Sequence, residues 1–348
     1  AALIIIALFF IAISFLLLSS YDWVKIYNLH NLENSAEVGR ASITLIVCLA
    51  ATLPFTLVQK LQYGFQETIQ ANAWTAFSNL LMLVLIFLAI FYQANLSWLV
   101  LIVAGTPALV LMLCWINQFV RVRPWLRPRL AKVKLKSALD LMGMSAVWTW
   151  FNLMTFIAMG LDNLIISYLF GAKAVGSYAV MAKIHGVLII AQIFTLPLWP
   201  AFAEAISSGD YVWARRTFYR TLLVCSLIGL FTACLIGFGS FALVRFWVGP
   251  EMIPTISLAA GFATWAFVLN IFAALAALMS NVHMIRTLTK LTTAAALSAL
   301  VLKFFLATNF GIEGIVWASS IAYGVVTVPA LYIASKTLNK QSKNRIGE

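Results

Sequence analysis

The sequence predicts an all-α, multi-pass membrane protein, a bundle of about ten transmembrane helices in two similar halves. Of the 348 residues, 63% are hydrophobic and only 10% are charged, and the mean hydropathy is +0.97. A soluble domain carries about 25% charged residues, so this composition excludes that class. The apolar residues fall in runs near the length at which a helix crosses the hydrocarbon core, about 20 residues. Strictly alternating ten-residue strands are absent from the sequence, which excludes a closed barrel.

Ten apolar runs predict the spans, and each is bounded by polar or charged residues. The first run begins at Ala1 without an initiator methionine or the basic region of a signal peptide. We therefore expect further spans to precede it, which would give twelve or more in the whole protein. The ten predicted spans are 1–20, 41–60, 76–93, 97–119, 140–169, 174–200, 217–239, 254–280, 288–309 and 312–335.

Positive charges orient these spans. The segment 120–137 contains seven lysines and arginines and no acid, so the positive-inside rule places it in the cytoplasm. Alternation from there puts seventeen of the 23 cations, and both ends of the chain, on the cytoplasmic side of the inner (plasma) membrane. The predicted organisation is an N-terminal half (1–119), this basic linker, a C-terminal half (138–335) and a basic cytoplasmic tail (336–348). The linker has no aromatic residue besides Trp125, so we predict no nucleic-acid partner.

Two charges lie deep inside one predicted hairpin. Asp162 and Lys183 are about equally far from the centre of the predicted turn at 170–176, and each is roughly 15 Å below it at a helical rise of 1.5 Å per residue. Equal offsets in an antiparallel pair mean equal depth, so we expect an ion pair or a shared polar cavity. A lone charge at this depth costs at least about 2.5 kcal/mol. The pair would either fix the hairpin or line a translocation path.

Four further side chains are candidates for the same path. His185, half a turn beyond Lys183, would be a hydrogen-bonded histidine or a proton relay. Lys303 lies roughly 10 Å from the outer end of its helix and would snorkel to the surface or line the path. Asn152 and Asn270 would join helices or contact sugar hydroxyls.

The sequence lacks the motifs of the common membrane enzymes. It has no GxxxxGK[ST] loop, no HExxH, no GxSxG and no acidic DxD-like cluster. The four cysteines lie in apolar runs without metal-site spacing. We therefore predict no catalytic residue, no metal and no cofactor. A membrane-embedded glycan polymerase or ligase would need a longer outer loop to carry its site.

Several segments resemble a known family. "LDNLIISYLFGAKAVGSYAVMAKI" (161–184) resembles the seventh and eighth helices of the polysaccharide-exporter, or O-antigen flippase, branch of the multidrug/oligosaccharidyl-lipid/polysaccharide (MOP) superfamily. "PLWPAFAEAISSGDYVWARRTFYRTL" (197–222) is similar to the cytoplasmic loop that follows, and "TNFGIEGIVWASSIAYGV" (308–325) to the final hairpin. The resemblance covers 140–335 well and 41–119 loosely.

The resemblance implies a flippase that moves a polyprenyl-diphosphate-linked oligosaccharide across the inner membrane for surface polysaccharide synthesis, by alternating access. Its partners would be this lipid-linked substrate, membrane lipids and the polysaccharide polymerase machinery. Lys183, Lys303 and His185 would give the cavity a positive potential, and Arg215 and Arg216 would attract the diphosphate at the cytoplasmic mouth.

Four alternatives remain open from the sequence. A drug/cation antiporter and a lipid II flippase belong to the same superfamily. A membrane-embedded glycan polymerase or ligase and a structural membrane protein belong to other classes.

Overall fold

The computed structural model describes residues 35–65, 67–127, 135–187, 194–281 and 284–346, which form helices joined by short turns. Eight helices within these residues are long and apolar enough to cross a membrane. The predicted all-α, multi-pass membrane fold is confirmed. Of the ten predicted spans, 1–20 lies outside the described residues and 174–200 lies partly outside them.

The chain divides into two compact units, residues 1–138 and 139–348. In the first unit, α3 packs along α1 and also contacts α2. α3 begins at an Asn95 cap, whose side chain accepts a hydrogen bond from the backbone N–H of Trp98, and it continues into a π-helical turn at Asn117–Val122. The helices are α1 (Ser35–Gly64), α2 (Thr68–Phe91) and α3 (Leu96–Ile116).

An ion pair joins the turn between α1 and α2 to the segment that follows α3. Arg123, after α3, donates two hydrogen bonds to Glu67, in the turn between α1 and α2, at 2.9 and 2.6 Å. The guanidinium carbon lies 4.1 Å from the centre of the Phe65 ring. These hydrogen bonds hold the pKa of Glu67 below its ordinary value of 4.5. The pair thus connects the turn before α2 with the segment after α3, and the charge distribution predicts that both are cytoplasmic. The side of the membrane stays a prediction.

The second unit surrounds a buried helix, α10, which packs against α8 and α12. α11 packs against α12, and α5 packs against α6. The helices of this unit, with α4 beginning just before its boundary, are α4 (Leu135–Gly160), α5 (Asp162–Phe170), α6 (Ala172–Val187), α7 (Leu198–Ser207), α8 (Tyr211–Cys234), α9 (Ser240–Trp247), α10 (Ile256–Met279), α11 (Ile285–Phe310) and α12 (Glu313–Ile346).

The predicted span 140–169 corresponds to one candidate membrane span, Ala146–Phe170, within which α4 ends at Gly160 and α5 begins at Asp162. Two other predicted boundaries of this unit were wrong. The predicted span 174–200 contains a turn at Leu196–Pro197 before α7 begins. The predicted seven-residue turn, 170–176, is a single residue: Gly171 lies between α5 and α6 with φ of 82°, a conformation that glycine adopts without strain.

Candidate functional site

The break between α4 and α5 exposes the polar groups on which the site is built. Asp162 is the first residue of α5, where a carboxylate is favoured by the helix dipole. Ala158 lies in the last turn of α4, and the last four carbonyls of a helix have no partner within it. A carboxylate and a free carbonyl oxygen are therefore presented together inside a membrane span, and such a pair attracts a positive charge.

Lys303 of α11 supplies that charge. Its side chain is 0% exposed, and its Nζ donates hydrogen bonds to Oδ1 of Asp162 and to the carbonyl oxygen of Ala158. The interpretation of Lys303 as a snorkelling lysine is therefore wrong. So is the predicted ion pair between Asp162 and Lys183, because the ion-pair partner of Asp162 comes from a helix 141 residues away in sequence.

Tyr178 of α6 completes the cluster. Its hydroxyl donates a 2.6 Å hydrogen bond to Oδ2 of Asp162. The side chain is buried, and its ring centre is 5.1 Å from that of Phe262 in α10. Both oxygens of the carboxylate thus have a hydrogen-bond donor, one charged and one neutral, which offsets part of the cost of burying the acid.

The carboxylate faces a cavity of about 220 Å³ inside this unit. The Asp162 side chain is 15% exposed, whereas its lysine partner is fully enclosed. His185 of α6 also lines the cavity, with ring centres 5.7 Å from Phe262 and 6.4 Å from Trp265. No described residue pairs with Nε2 of His185. The structure therefore brings Asp162 and His185 to one polar cavity and buries Lys303 behind it.

Lys183 and Asn152 lie elsewhere. The Lys183 side chain is exposed and does not line the cavity that Asp162 faces. Asn152 is also exposed, and its Nδ2 donates a 2.7 Å hydrogen bond to the carbonyl oxygen of Trp148, one turn earlier in α4. Neither side chain joins the cluster around Asp162.

Asn270 and the two arginines also lie apart from that cluster. Asn270 is buried in α10, where its Nδ2 donates a 2.7 Å hydrogen bond to the carbonyl oxygen of Ala266. Its Cβ would be 3.1 Å from a Cβ added to Gly229, so it packs closely against α8. Arg215 and Arg216 are exposed in the first two turns of α8.

Tyr178 and the carbonyl of Ala158 were not predicted from the sequence. Tyr178 could have been predicted if the turn had been placed at Gly171 instead of at 170–176. With the turn at Gly171, the position opposite Asp162 is near 180, and Tyr178 is the nearest polar side chain to it. The carbonyl had no signal in the sequence, because the helix break that frees it lies within an apolar run.

Solved structures share this fold, although no match was found by sequence. No family model matches the chain, and no curated protein matches it in sequence. An inward-facing multidrug resistance MATE family transporter of the MOP superfamily matches with a TM-score of 0.81 and 11% identity, over 98% of this chain and 80% of that one. An outward-facing transporter of the same description matches at 0.74 and 10%, over 98% and 77%.

A third structure extends the likeness. It is a MOP superfamily transporter from Pyrococcus furiosus, for which a reversed polarity of the binding pocket suggests a different function. It matches with a TM-score of 0.73 and 11% identity, over 98% of this chain and 77% of that one. The chain has the MATE transporter fold. The resemblance of the sequence to the MOP superfamily stays a prediction, and the polysaccharide-exporter branch is not distinguished from the others, because a likeness at 10–11% identity shows the fold alone.

Proposed function

We propose that the chain belongs to a MOP-type flippase that carries a polyprenyl-diphosphate-linked oligosaccharide across the plasma membrane by alternating access. The shared fold supports transport as the activity. The choice of an anionic, lipid-linked substrate over an organic cation depends on one observation, the neutralised state of Asp162.

Asp162 is the sole acid in the interior of the described membrane spans, since Glu37 and Glu313 lie at helix ends. Its two oxygens accept hydrogen bonds from Lys303 and Tyr178. An organic cation that bound there would have to displace an ammonium group held inside the protein. Removing one partner from a buried ion pair costs about 3–5 kcal/mol, which favours rejection of such a ligand.

Three exposed cationic side chains favour an anionic substrate. Lys183 in α6 and the adjacent Arg215 and Arg216 in α8 are all exposed. A diphosphate gains charge-assisted hydrogen bonds from such groups, and the arginine fork matches phosphate oxygens in geometry. We assign Lys183 to the substrate path and the two arginines to the cytoplasmic mouth. The polyprenyl chain would remain in the lipid, and the polymerase machinery would receive the translocated glycan.

A drug/cation antiporter is the second candidate, because two of the structures with the same fold are multidrug resistance transporters. A lipid II flippase would share the diphosphate chemistry and differ in the sugar. Complementation with the full-length gene distinguishes these three functions.

The test uses a strain that lacks its own flippase for lipid-linked oligosaccharide. We expect the gene to restore surface polysaccharide, and Lys183→Ala to reduce that recovery at unchanged protein level. Lys290→Ala, which removes another exposed lysine, is the matched control. Restored drug resistance without surface glycan would overturn the proposal in favour of the antiporter, and rescue of a strain without a lipid II flippase would favour that alternative.

A further inference from the structure

Helix α2 in the first unit is polar in one half and apolar in the other. Its first twelve residues, 68–79, include two asparagines, a glutamine, two threonines, a serine and a tryptophan, and no charge. The remaining residues, 80–91, contain no polar side chain. The polar half is roughly 18 Å long at a rise of 1.5 Å per residue. The whole helix is long and apolar enough to cross a membrane. Polar side chains in such a helix mark contacts between helices or a wet path, so this half needs an explanation.

Two cavities of this unit meet at Trp74. The larger, of about 470 Å³, is lined by Gln70, Ala73, Trp74 and Phe77. These residues have the spacing that places side chains on one face of a helix. The ring centres of Trp74 and Phe77 are 6.3 Å apart at an angle of 87°. The exposed fraction of Phe77 is 49%, so this cavity presents aromatic surface to whatever enters it.

The smaller cavity, of about 100 Å³, lies between α1, α2 and α3 on the other side of Trp74. Gln59, Ser78 and Asn79 line it, and Gln59 donates a 3.2 Å hydrogen bond to Thr75. The Ser78 hydroxyl is buried and has no partner among the described residues. Amide and hydroxyl groups therefore continue from the open cavity into the unit.

The combined lining has a distinct chemistry. Among the described residues, no charged side chain lines either cavity. A diphosphate would find no cation there, and an organic cation would find aromatic rings but no carboxylate. Amides that both donate and accept hydrogen bonds, next to an indole ring, match a neutral ligand that has hydroxyl groups and an apolar face. A sugar ring has both features.

We propose that the face of α2 formed by Gln70, Trp74 and Phe77 binds the neutral sugar rings of the transported substrate. The inference rests on the proposed flippase function and assigns the glycan, as distinct from the diphosphate, to the first unit. Trp74 provides the stacking surface. The amide of Gln70 exchanges hydrogen bonds with sugar hydroxyls.

The test measures binding to the purified full-length protein in nanodiscs with three probes. They are a polyprenyl diphosphate bearing a tetrasaccharide, the same polyprenyl diphosphate without sugar, and tetraphenylphosphonium. We expect the wild type to bind the sugar-bearing probe more tightly than the sugar-free one. Trp74→Ala should weaken binding of the sugar-bearing probe about tenfold, as expected for the loss of one aromatic contact and its buried area, and leave the sugar-free probe unchanged.

Two further variants sharpen the result. Gln70→Ala should weaken the sugar-bearing probe alone, by a few-fold for one hydrogen-bonding group. Trp98→Ala is the matched control, because Trp98 is 58% exposed on α3 and lines neither cavity. If Trp74→Ala does not fold, Gln70→Ala tests the same face with the same two lipid probes, and equal weakening of both probes would overturn the site.

Equal affinity of the wild type for the two lipid probes would overturn the sugar site and leave the flippase function intact. A Trp74→Ala variant that weakens both lipid probes equally would do the same. Binding of tetraphenylphosphonium alone would contradict the proposed function itself.

Discussion

Removing the negative charge from Asp162 tests the internal ion pair most severely. In Asp162→Asn, Lys303 keeps its charge in a site where its side chain is 0% exposed, with the carbonyl of Ala158 and a neutral amide as its acceptors. An uncompensated buried charge costs about 3–5 kcal/mol of unfolding free energy. Lys303→Met should cost less, because the remaining carboxylate is 15% exposed to the cavity and keeps its hydrogen bond from Tyr178.

The double variant Asp162→Asn/Lys303→Met removes both charges and should lie within about 1 kcal/mol of the wild type, since replacing a whole buried pair is close to neutral. The assay is reversible unfolding of the purified protein in mixed detergent micelles, analysed as a double-mutant cycle. Lys290→Met, which removes an exposed lysine from the same helix α11, is the control and should change little. Additive losses in the double variant would refute the pairing.

Three further predictions follow from local contacts. Tyr178→Phe should lower the unfolding free energy by about 1.5–3 kcal/mol, because the hydroxyl donates to a charged carboxylate, whereas Tyr168→Phe at an exposed position of α5 should have little effect. Because the pKa of Glu67 is lowered in the folded state, its ion pair contributes stability above pH 4.5, and this stability is lost as the pH falls through the folded-state pKa. Glu67→Gln should therefore remove this part of the pH dependence of the unfolding midpoint. Identical acid profiles of the wild type and the variant would contradict the prediction. In a cysteine-free background, an impermeant thiol reagent added outside cells should label Tyr92→Cys and miss Trp125→Cys; the reverse pattern would invert the predicted topology.

Hydropathy predicted which parts of the chain cross the membrane, but it could not predict where helices begin, break or end. α2 starts at Thr68, well before the predicted span at 76, because its first turns are helical and polar. α12 continues to Ile346 through the predicted tail, because its last turns are also helical and polar. The break before Asp162 lies in an apolar run, so neither composition nor charge reveals it.

The sequence identified individual residues of the candidate site but did not predict which of them contact each other. The depth of Asp162 in an apolar hairpin identified it as a residue that needs a partner. The choice of Lys183 failed because the turn is shorter than expected, and a shift of one or two residues at the turn moves the opposite position by about one helical turn. Lys303 was recognised as an unusual lysine, but its pairing depends on the packing of α11 against α5, which one sequence does not specify.

The most direct test of the proposed function is transport by the purified full-length protein in proteoliposomes. A fluorescent polyprenyl-diphosphate oligosaccharide is placed in one leaflet, and its arrival in the other is followed with a membrane-impermeant quencher, in parallel with uptake of tetraphenylphosphonium. We expect the lipid-linked oligosaccharide to be transferred faster than in protein-free liposomes, with no uptake of the cation. Uptake of the cation without transfer of the oligosaccharide would contradict it.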